Sequence, residues 1–216
     1  MPNRLRAGFL EQIANVPKRK WRGFMNLIAA IQSFVPGCAQ EAADQDLILS
    51  LALREPIAIL TRESLAAHMT ASGFIVSGFI VNEARNKTLM VHHNIYNSWS
   101  WTGGHADGDS DLLAVALREA REETGIVNVT PLSREIMSLD VLTVPGHVKN
   151  GMYVSAHLHL SAAYLLMAPE KQPISVQPDE NSGVQWIAFD SLERMCNEAH
   201  MLPVYRKLIE RMQKLV

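Results

Sequence analysis

The chain has 216 residues, 48% of them hydrophobic, which is enough for one sizeable core and a small additional element. Lysine and arginine total 20 and aspartate and glutamate total 22, so the chain lacks the basic character of proteins that bind nucleic acid polymers. No apolar stretch reaches the length that crosses a bilayer, and two distant cysteines, Cys38 and Cys196, favour a reducing compartment such as the cytoplasm.

The first 67 residues have a helical pattern. Apolar residues recur at helical spacing, as Leu5, Phe9 and Ile13 illustrate. Three short helices are predicted, and the prolines that delimit them are Pro17, Pro36 and Pro56. No residue here indicates catalysis, so we interpret residues 1–67 as a helical extension, either a cap or an oligomerisation element. A homodimer is left open.

Residues 68–216 are predicted to form a second domain in which strands alternate with helices. The predicted strands are residues 74–81, 88–91, 98–101, 136–144, 153–166 and 185–189. The predicted helices are residues 110–124, 191–198 and 204–215. This order of elements predicts an α/β layered domain rather than a helical bundle.

The helix predicted at residues 110–124 has an apolar face and clear ends. Asp109 or Ser110 is expected to cap its start, and Gly125 stands where a helix-ending glycine belongs. The apolar residues share one face at helical spacing and are expected to pack on a sheet: Leu113, Ala116, Leu117 and Ala120.

The same helix places three glutamates close together. Glu119, Glu122 and Glu123 are three and four residues apart, so their side chains cluster in the last turns of the helix. Both their mutual repulsion and the helix dipole oppose this arrangement, and Arg118 offsets only part of the cost. A divalent cation with oxygen ligands would explain the cluster. A solvated acidic face is the alternative.

Residues 104–126 resemble the Nudix box: a glycine, five residues, a glutamate, seven residues, then Arg-Glu-aliphatic-any-Glu-Glu-any-Gly-aliphatic. Six of its seven glycine or charged positions are matched, by Gly104, Arg118, Glu119, Glu122, Glu123 and Gly125, and Ile126 fits the last position. Ser110 stands where the box has its first glutamate, between Asp109 and Asp111. Ala120 is smaller than the usual aliphatic residue.

The resemblance implies an α/β/α sandwich with a mixed β-sheet and a hydrolase that cleaves a diphosphate linkage in a small phosphorylated substrate of the nucleoside diphosphate type. The metal implied is magnesium or manganese, held by Glu119, Glu122 and Glu123 with the Gly103 carbonyl. Arg118 is implied to orient the carboxylates. The general base is open between Glu122 and Glu180, because members of the family often use an acidic residue from the corresponding loop.

The substrate pocket is a weaker expectation. Gly104, Trp101, His157 and His159 are predicted to line it. Trp101, Trp99 and Trp186 are candidates for stacking on a base, with the core as the alternative. For the two histidines the alternatives are ordinary sheet residues or a His-x-His metal pair.

Two other functions are compatible with this fold. A Nudix-like nucleotide-binding module without catalysis would explain Ser110 and the helical extension. A prenyl diphosphate isomerase would share the architecture, but it also needs a cysteine and a glutamate in the pocket. Neither Cys38 nor Cys196 lies near the box in the sequence, which argues against the isomerase.

Overall fold

The structure is a computed structural model that describes residues 16–61, 67–68, 76–149 and 151–215. The α-helices of these residues are α1 Lys18–Ser33, α2 Ala39–Arg54, α3 Leu112–Thr124, α4 Leu192–Met195 and α5 Leu202–Lys214. Their strands are β1 Ala67–His68, β2 Val76–Val81, β3 Lys87–His93, β4 Ser98–Ser100, β5 Thr102–Gly104, β6 Thr130–Pro131, β7 Ser138–Val144, β8 His147–Lys149, β9 Met152–Val154, β10 His157–Met167 and β11 Asn181–Ala188. Short 3-10 helices lie at Ala58–Leu60 and Phe189–Ser191.

The chain divides into two compact units. The first comprises Met1–Ile75, His105–Leu112 and Leu139–Ser161, and the second comprises Val76–Gly104, Leu113–Ser138 and Ala162–Val216. The predicted domain boundary at residue 67 stays a prediction. The first of the three predicted N-terminal helices lies outside the described residues.

In the first unit, α1 and α2 form a helical pair. The buried face of α1 carries Phe24, Leu27, Ile28 and Ile31, and α2 buries Ile48 and Ala52. Each fully buried side chain of this size contributes about 1.5–3 kcal/mol. Gln45 of α2 donates to the carbonyls of Ile31 and Phe34, at 2.7 and 3.0 Å, and so satisfies the last carbonyls of α1.

The first unit also contains short strands. β1 runs parallel to the start of β10, and β8 pairs antiparallel with β9. The predicted strand at residues 153–166 is therefore two strands, β9 and β10, because β9 belongs to a separate hairpin. The backbone of Gly108 donates to the carbonyl of Leu60 at 2.7 Å and fixes the loop before α3 to the segment after α2.

The second unit contains a mixed sheet. β2 is parallel to β10 and antiparallel to β3, which in turn pairs antiparallel with β11. β4 pairs with β3 and β5 with β2, so that residues 98–104 run along two neighbouring strands. The predicted mixed sheet with helices is confirmed.

The C-terminal helix α5 packs on this sheet through Tyr205, which is fully buried. Its ring stacks on Phe79 of β2 with centroids 5.9 Å apart, and Phe79 also stacks on Phe189 at 6.2 Å. Within the described part of the chain, no helix is both long enough and apolar enough to cross a membrane. Cys38 is exposed, Cys196 is buried, and both are free thiols.

Candidate active site

Helix α3 positions the acidic residues, and it forms as the sequence predicts. It begins at Leu112, two residues later than expected, because Asp109 accepts a hydrogen bond from the backbone of Asp111 at 2.9 Å and holds a turn there. It ends at Thr124, and the following Gly125 has a φ of 71° that suits a glycine and an N–H that donates to the Arg121 carbonyl at 2.8 Å.

The three glutamates of α3 have different environments. Glu123 is buried and its carboxylate accepts a hydrogen bond from the Gly103 N–H at 3.3 Å. The side chain of Glu119 is 13% exposed and that of Glu122 is 59% exposed. Two of the three carboxylates are thus withdrawn from water, which contradicts the alternative of a solvated acidic face.

Gly104 is shaped to receive the carboxylate of Glu119. A Cβ at Gly104 would lie 2.1 Å from Oε2 of Glu119 and 2.7 Å from its Oε1. No side chain can occupy that space while the carboxylate remains in place. The first glycine of the box is therefore a spatial requirement of its second glutamate.

The electrostatics of the cluster resist negative charge. Burial raises the pKa of Glu123 well above its ordinary value, and the negative charges of Glu180 and Glu119 raise it further. Burial also raises the pKa of Glu119, although Arg118 lowers it by hydrogen bonding and charge. A nearby cation would reverse this repulsion.

Arg118 lies closer to the carboxylate of Glu119 than to that of Glu122. Its Nη2 lies 2.8 Å from Oε1 of Glu119, whereas its Nε lies 3.8 Å from Oε2 of Glu122. The pairing of Arg118 with Glu122, four residues ahead, is present, and the shorter contact is with the more buried carboxylate of Glu119.

Glu180 lies near the cluster although it is far from α3 in the sequence. It is exposed, it immediately precedes β11, and its carbonyl accepts a hydrogen bond from the Asn94 N–H at 3.0 Å. Its charge acts on both Glu119 and Glu123. The next residue, Asn181, is buried and donates from its side chain to the Glu123 carbonyl at 2.9 Å. Asn181 is not among the residues predicted from the sequence, because a single asparagine gives no signal of a contact 58 residues away.

The carboxylate oxygens of this cluster are ligands that a hard divalent cation prefers. Burial and mutual repulsion destabilise their negative charge, and a bound cation would stabilise it. The side chains are neighbours rather than a closed set of ligands. Over residues 16–61, 67–68, 76–149 and 151–215, no group of three or more His, Cys, Asp or Glu side chains is arranged to hold a metal ion.

Ser110, which replaces the first glutamate of the box, has a packing role in the first unit. A Cβ at Gly23 of α1 would lie only 2.1 Å from Oγ of Ser110. A glutamate at position 110 would need space that α1 occupies. The departure from the box therefore accompanies the N-terminal helix.

The predicted pocket histidines also lie in the first unit. Nε2 of His157 and Nε2 of His159 are 3.1 Å apart, and Nδ1 of His157 lies 2.7 Å from the carbonyl of Ser155. A carbonyl only accepts, so Nδ1 of His157 carries a proton, and in a neutral pair Nε2 of His159 donates to Nε2 of His157. The rings of His105 and His147 flank the pair at 6.5 and 6.3 Å. A role in substrate binding stays a prediction.

Trp101 lies in the core of the second unit. It is 5% exposed and meets the ring of Tyr205 edge-on, with centroids 5.4 Å apart. The burial of this ring against α5 fits the core alternative, and a role of Trp101 in the substrate pocket stays a prediction.

A sequence model described as the NUDIX domain matches residues 73–211. A Xenopus laevis protein named nucleoside diphosphate-linked moiety X motif 6 is 40% identical over 53 residues, which are 24% of this chain and 24% of that protein.

Several solved structures resemble this one, among them two hydrolases. The Ap4A hydrolase of C. elegans, as a binary complex, matches 66% of this chain and 98% of its own, with a TM-score of 0.51 and 16% identity. A NUDIX-family hydrolase from Clostridium perfringens matches 64% and 97%, with a TM-score of 0.47 and 20% identity. The first likeness is one of fold. Since the NUDIX domain match covers more than half of the chain and includes the whole acidic helix, the chain belongs to the Nudix family.

Proposed function

We propose that this protein is a Nudix pyrophosphohydrolase that cleaves a diphosphate linkage in a small molecule of the nucleoside diphosphate type, with magnesium or manganese as its metal. The observation that carries the proposal is the burial of Glu119 and Glu123 beside each other and beside the charge of Glu180. Repulsion between buried carboxylates destabilises the folded protein unless a bound cation offsets it.

The metal ligands proposed are Glu119, Glu122 and Glu123, with the carbonyl of Gly103. Glu119 and Glu123 already lie against the backbone of Gly104 and Gly103, and the exposed side chain of Glu122 can change rotamer at little cost. A bound divalent ion would neutralise charge on the diphosphate oxygens and promote ionisation of a water. Arg118 would keep the carboxylate of Glu119 oriented.

Two residues are candidates for the general base. Glu122 and Glu180 both have carboxylates that solvent reaches, as a group that accepts a proton from water requires. Glu180 is the stronger candidate, because its charge acts on both buried glutamates while its backbone is fixed to Asn94. Its position near the cluster does not depend on ligating the ion.

A catalytically inactive nucleotide-binding module was the alternative, and its main support was Ser110. The contact between Ser110 and Gly23 gives the substitution a packing reason that does not require loss of catalysis. The retained acidic cluster favours the enzyme.

The test is to incubate the full chain and magnesium with nucleoside di- and triphosphates, nucleotide sugars and dinucleotides, and to measure released phosphate or nucleotide. We expect turnover of at least one compound, its loss in EDTA, and its loss in Glu122→Gln. Glu210→Gln, an exposed helical glutamate outside the cluster, is the control and should match wild type. A folded wild-type protein that binds magnesium but hydrolyses nothing in this set would refute the proposal.

A further inference from the structure

An aromatic pair lies on strands β3 and β4 of the second unit. His92 and Trp99 are direct cross-strand partners, with ring centroids 5.3 Å apart and planes inclined by 74°. Both side chains are half-buried, in contrast to Trp101, which α5 covers. The pair is available to a ligand in a way that Trp101 is not.

Gly183 of β11 provides the floor beneath Trp99. A Cβ at this glycine would lie 3.0 Å from Cη2 of Trp99 and 3.3 Å from Cβ of His92. The indole therefore reaches across β3 and lies close to the backbone of β11. This contact holds the ring in one orientation, and a rigid aromatic ring loses little entropy on stacking with a ligand.

The pair faces away from α5. Ser100 lies 3.4 Å from the hydroxyl of Tyr205, and Ser98 accepts a hydrogen bond from the backbone of Asn197 at 2.9 Å. Both serines thus point toward the C-terminal helices. Because side chains alternate along a strand, Trp99 between them lies on the opposite face of β4.

The strands that carry the pair also lead to the acidic cluster. Nδ1 of His92 lies 3.0 Å from Oγ of Ser182, two residues after Glu180, and Asn181 pairs with His93 while it bonds the carbonyl of Glu123. Trp99 is four residues from Gly103 along one chain segment, a separation of at most about 13 Å at ~3.3 Å per residue. A ligand that bridges the two places needs an anionic end and an aromatic end.

We propose that His92 and Trp99 form a stacking platform for the nucleobase of the substrate. The inference rests on the proposed function for the location of the diphosphate and adds the class of group attached to it. Stacking uses the face that every base has, so the platform favours nucleotides over non-aromatic diphosphates and discriminates weakly among bases.

The experiment is isothermal titration of the full chain with ADP and, separately, with inorganic pyrophosphate, both with magnesium. Trp99→Leu should raise the Kd for ADP about 5- to 150-fold, the usual range for loss of one base-stacking contact. Trp99→Phe keeps an aromatic face and should remain within a few-fold of wild type. Tyr153→Leu removes an aromatic ring that is 72% exposed in the β8–β9 hairpin and should change nothing.

Pyrophosphate binding separates a stacking role from a role in folding. Trp99→Leu should bind pyrophosphate as wild type does. Equal loss of ADP and pyrophosphate affinity would assign Trp99 to the fold and overturn the proposal, as would unchanged ADP affinity or no ADP binding by wild type. If ADP binds through Trp99 but no compound is hydrolysed, the proposed function fails and the platform stands.

Discussion

Gly104→Ala tests whether the position of the Glu119 carboxylate matters to activity. The added methyl group would lie 2.1 Å from Oε2 of Glu119. The shortest contacts that Cβ atoms make in proteins are 3.0 Å, so the carboxylate must move by about 0.9 Å. Glu119 is the flexible end of a long side chain, and φ at Gly104 is not positive, so the fold should tolerate the change. We expect the free energy of unfolding to fall by about 1 kcal/mol, the low end of the cost of an added methyl group.

Activity should respond much more strongly than stability. Displacing the carboxylate removes its 2.8 Å contact with Arg118 and moves one of the proposed ligands. A misplacement of about 1 Å in an active site costs on the order of 100-fold in rate, so kcat/KM for the best substrate should fall by that factor.

Gly146→Ala is a matched control for this prediction. Its Cβ would lie within contact distance of the hydroxyl of Tyr153, an exposed side chain that can move aside. Both variants should be measured by chemical denaturation and by steady-state kinetics over a range of magnesium concentrations. Wild-type kcat/KM and magnesium dependence in Gly104→Ala would show that the carboxylate position is unimportant and refute the reasoning.

Three further predictions concern charge, catalysis and the N-terminal helix. Because the pKa of Glu123 is raised above the ordinary glutamate value of 4.5, ionising this buried carboxyl destabilises the fold. The metal-free protein should therefore lose stability as the pH rises from 4.5 through the raised pKa, and Glu123→Gln should flatten this trend. Thermal melts in EDTA between about pH 4 and pH 8 check this, and equal slopes would contradict it. Glu180→Gln should lower kcat about 10²- to 10⁴-fold if Glu180 is the base, with Asp179→Asn near wild type, whereas an unchanged kcat would assign the base to Glu122. The clash of Gly23→Ala with Ser110 should cost about 1–3 kcal/mol and so cancel or exceed the about 1 kcal/mol that alanine gains in a helix. Ser110→Gly in the same chain should remove the clash and raise the denaturation midpoint, and a single variant about 1 kcal/mol more stable than wild type would refute the contact.

Element positions were predictable where the signal is local. The periodicity of residues 113–120 and the glycine at 125 specify a helix and its end, because both depend on neighbours within two turns. The strand predicted at residues 153–166 was wrong in one respect. Its break between β9 and β10 depends on pairing with β8, which alternation within one segment does not reveal.

The aromatic residues show the same limit within one short segment. Trp99 and Trp101 alternate with serines in the sequence, and each is a candidate for stacking on a base. Only the position of Tyr205, more than 100 residues later, buries Trp101, whereas Trp99 is half-buried on the face of β4 that lies away from α5. His92 had no sequence signal, because its pairing with Trp99 arises from the register of β3 and β4.

The sequence by itself determined the family, the acidic helix and the identity of its three glutamates, because fixed spacing along one helix brings those side chains together in any fold. Tertiary structure alone decided which of them are buried, that Glu180 and Asn181 meet them, and that Ser110 lies against Gly23. These contacts join residues far apart in the chain, and burial and charge at each position depend on what the rest of the chain places there.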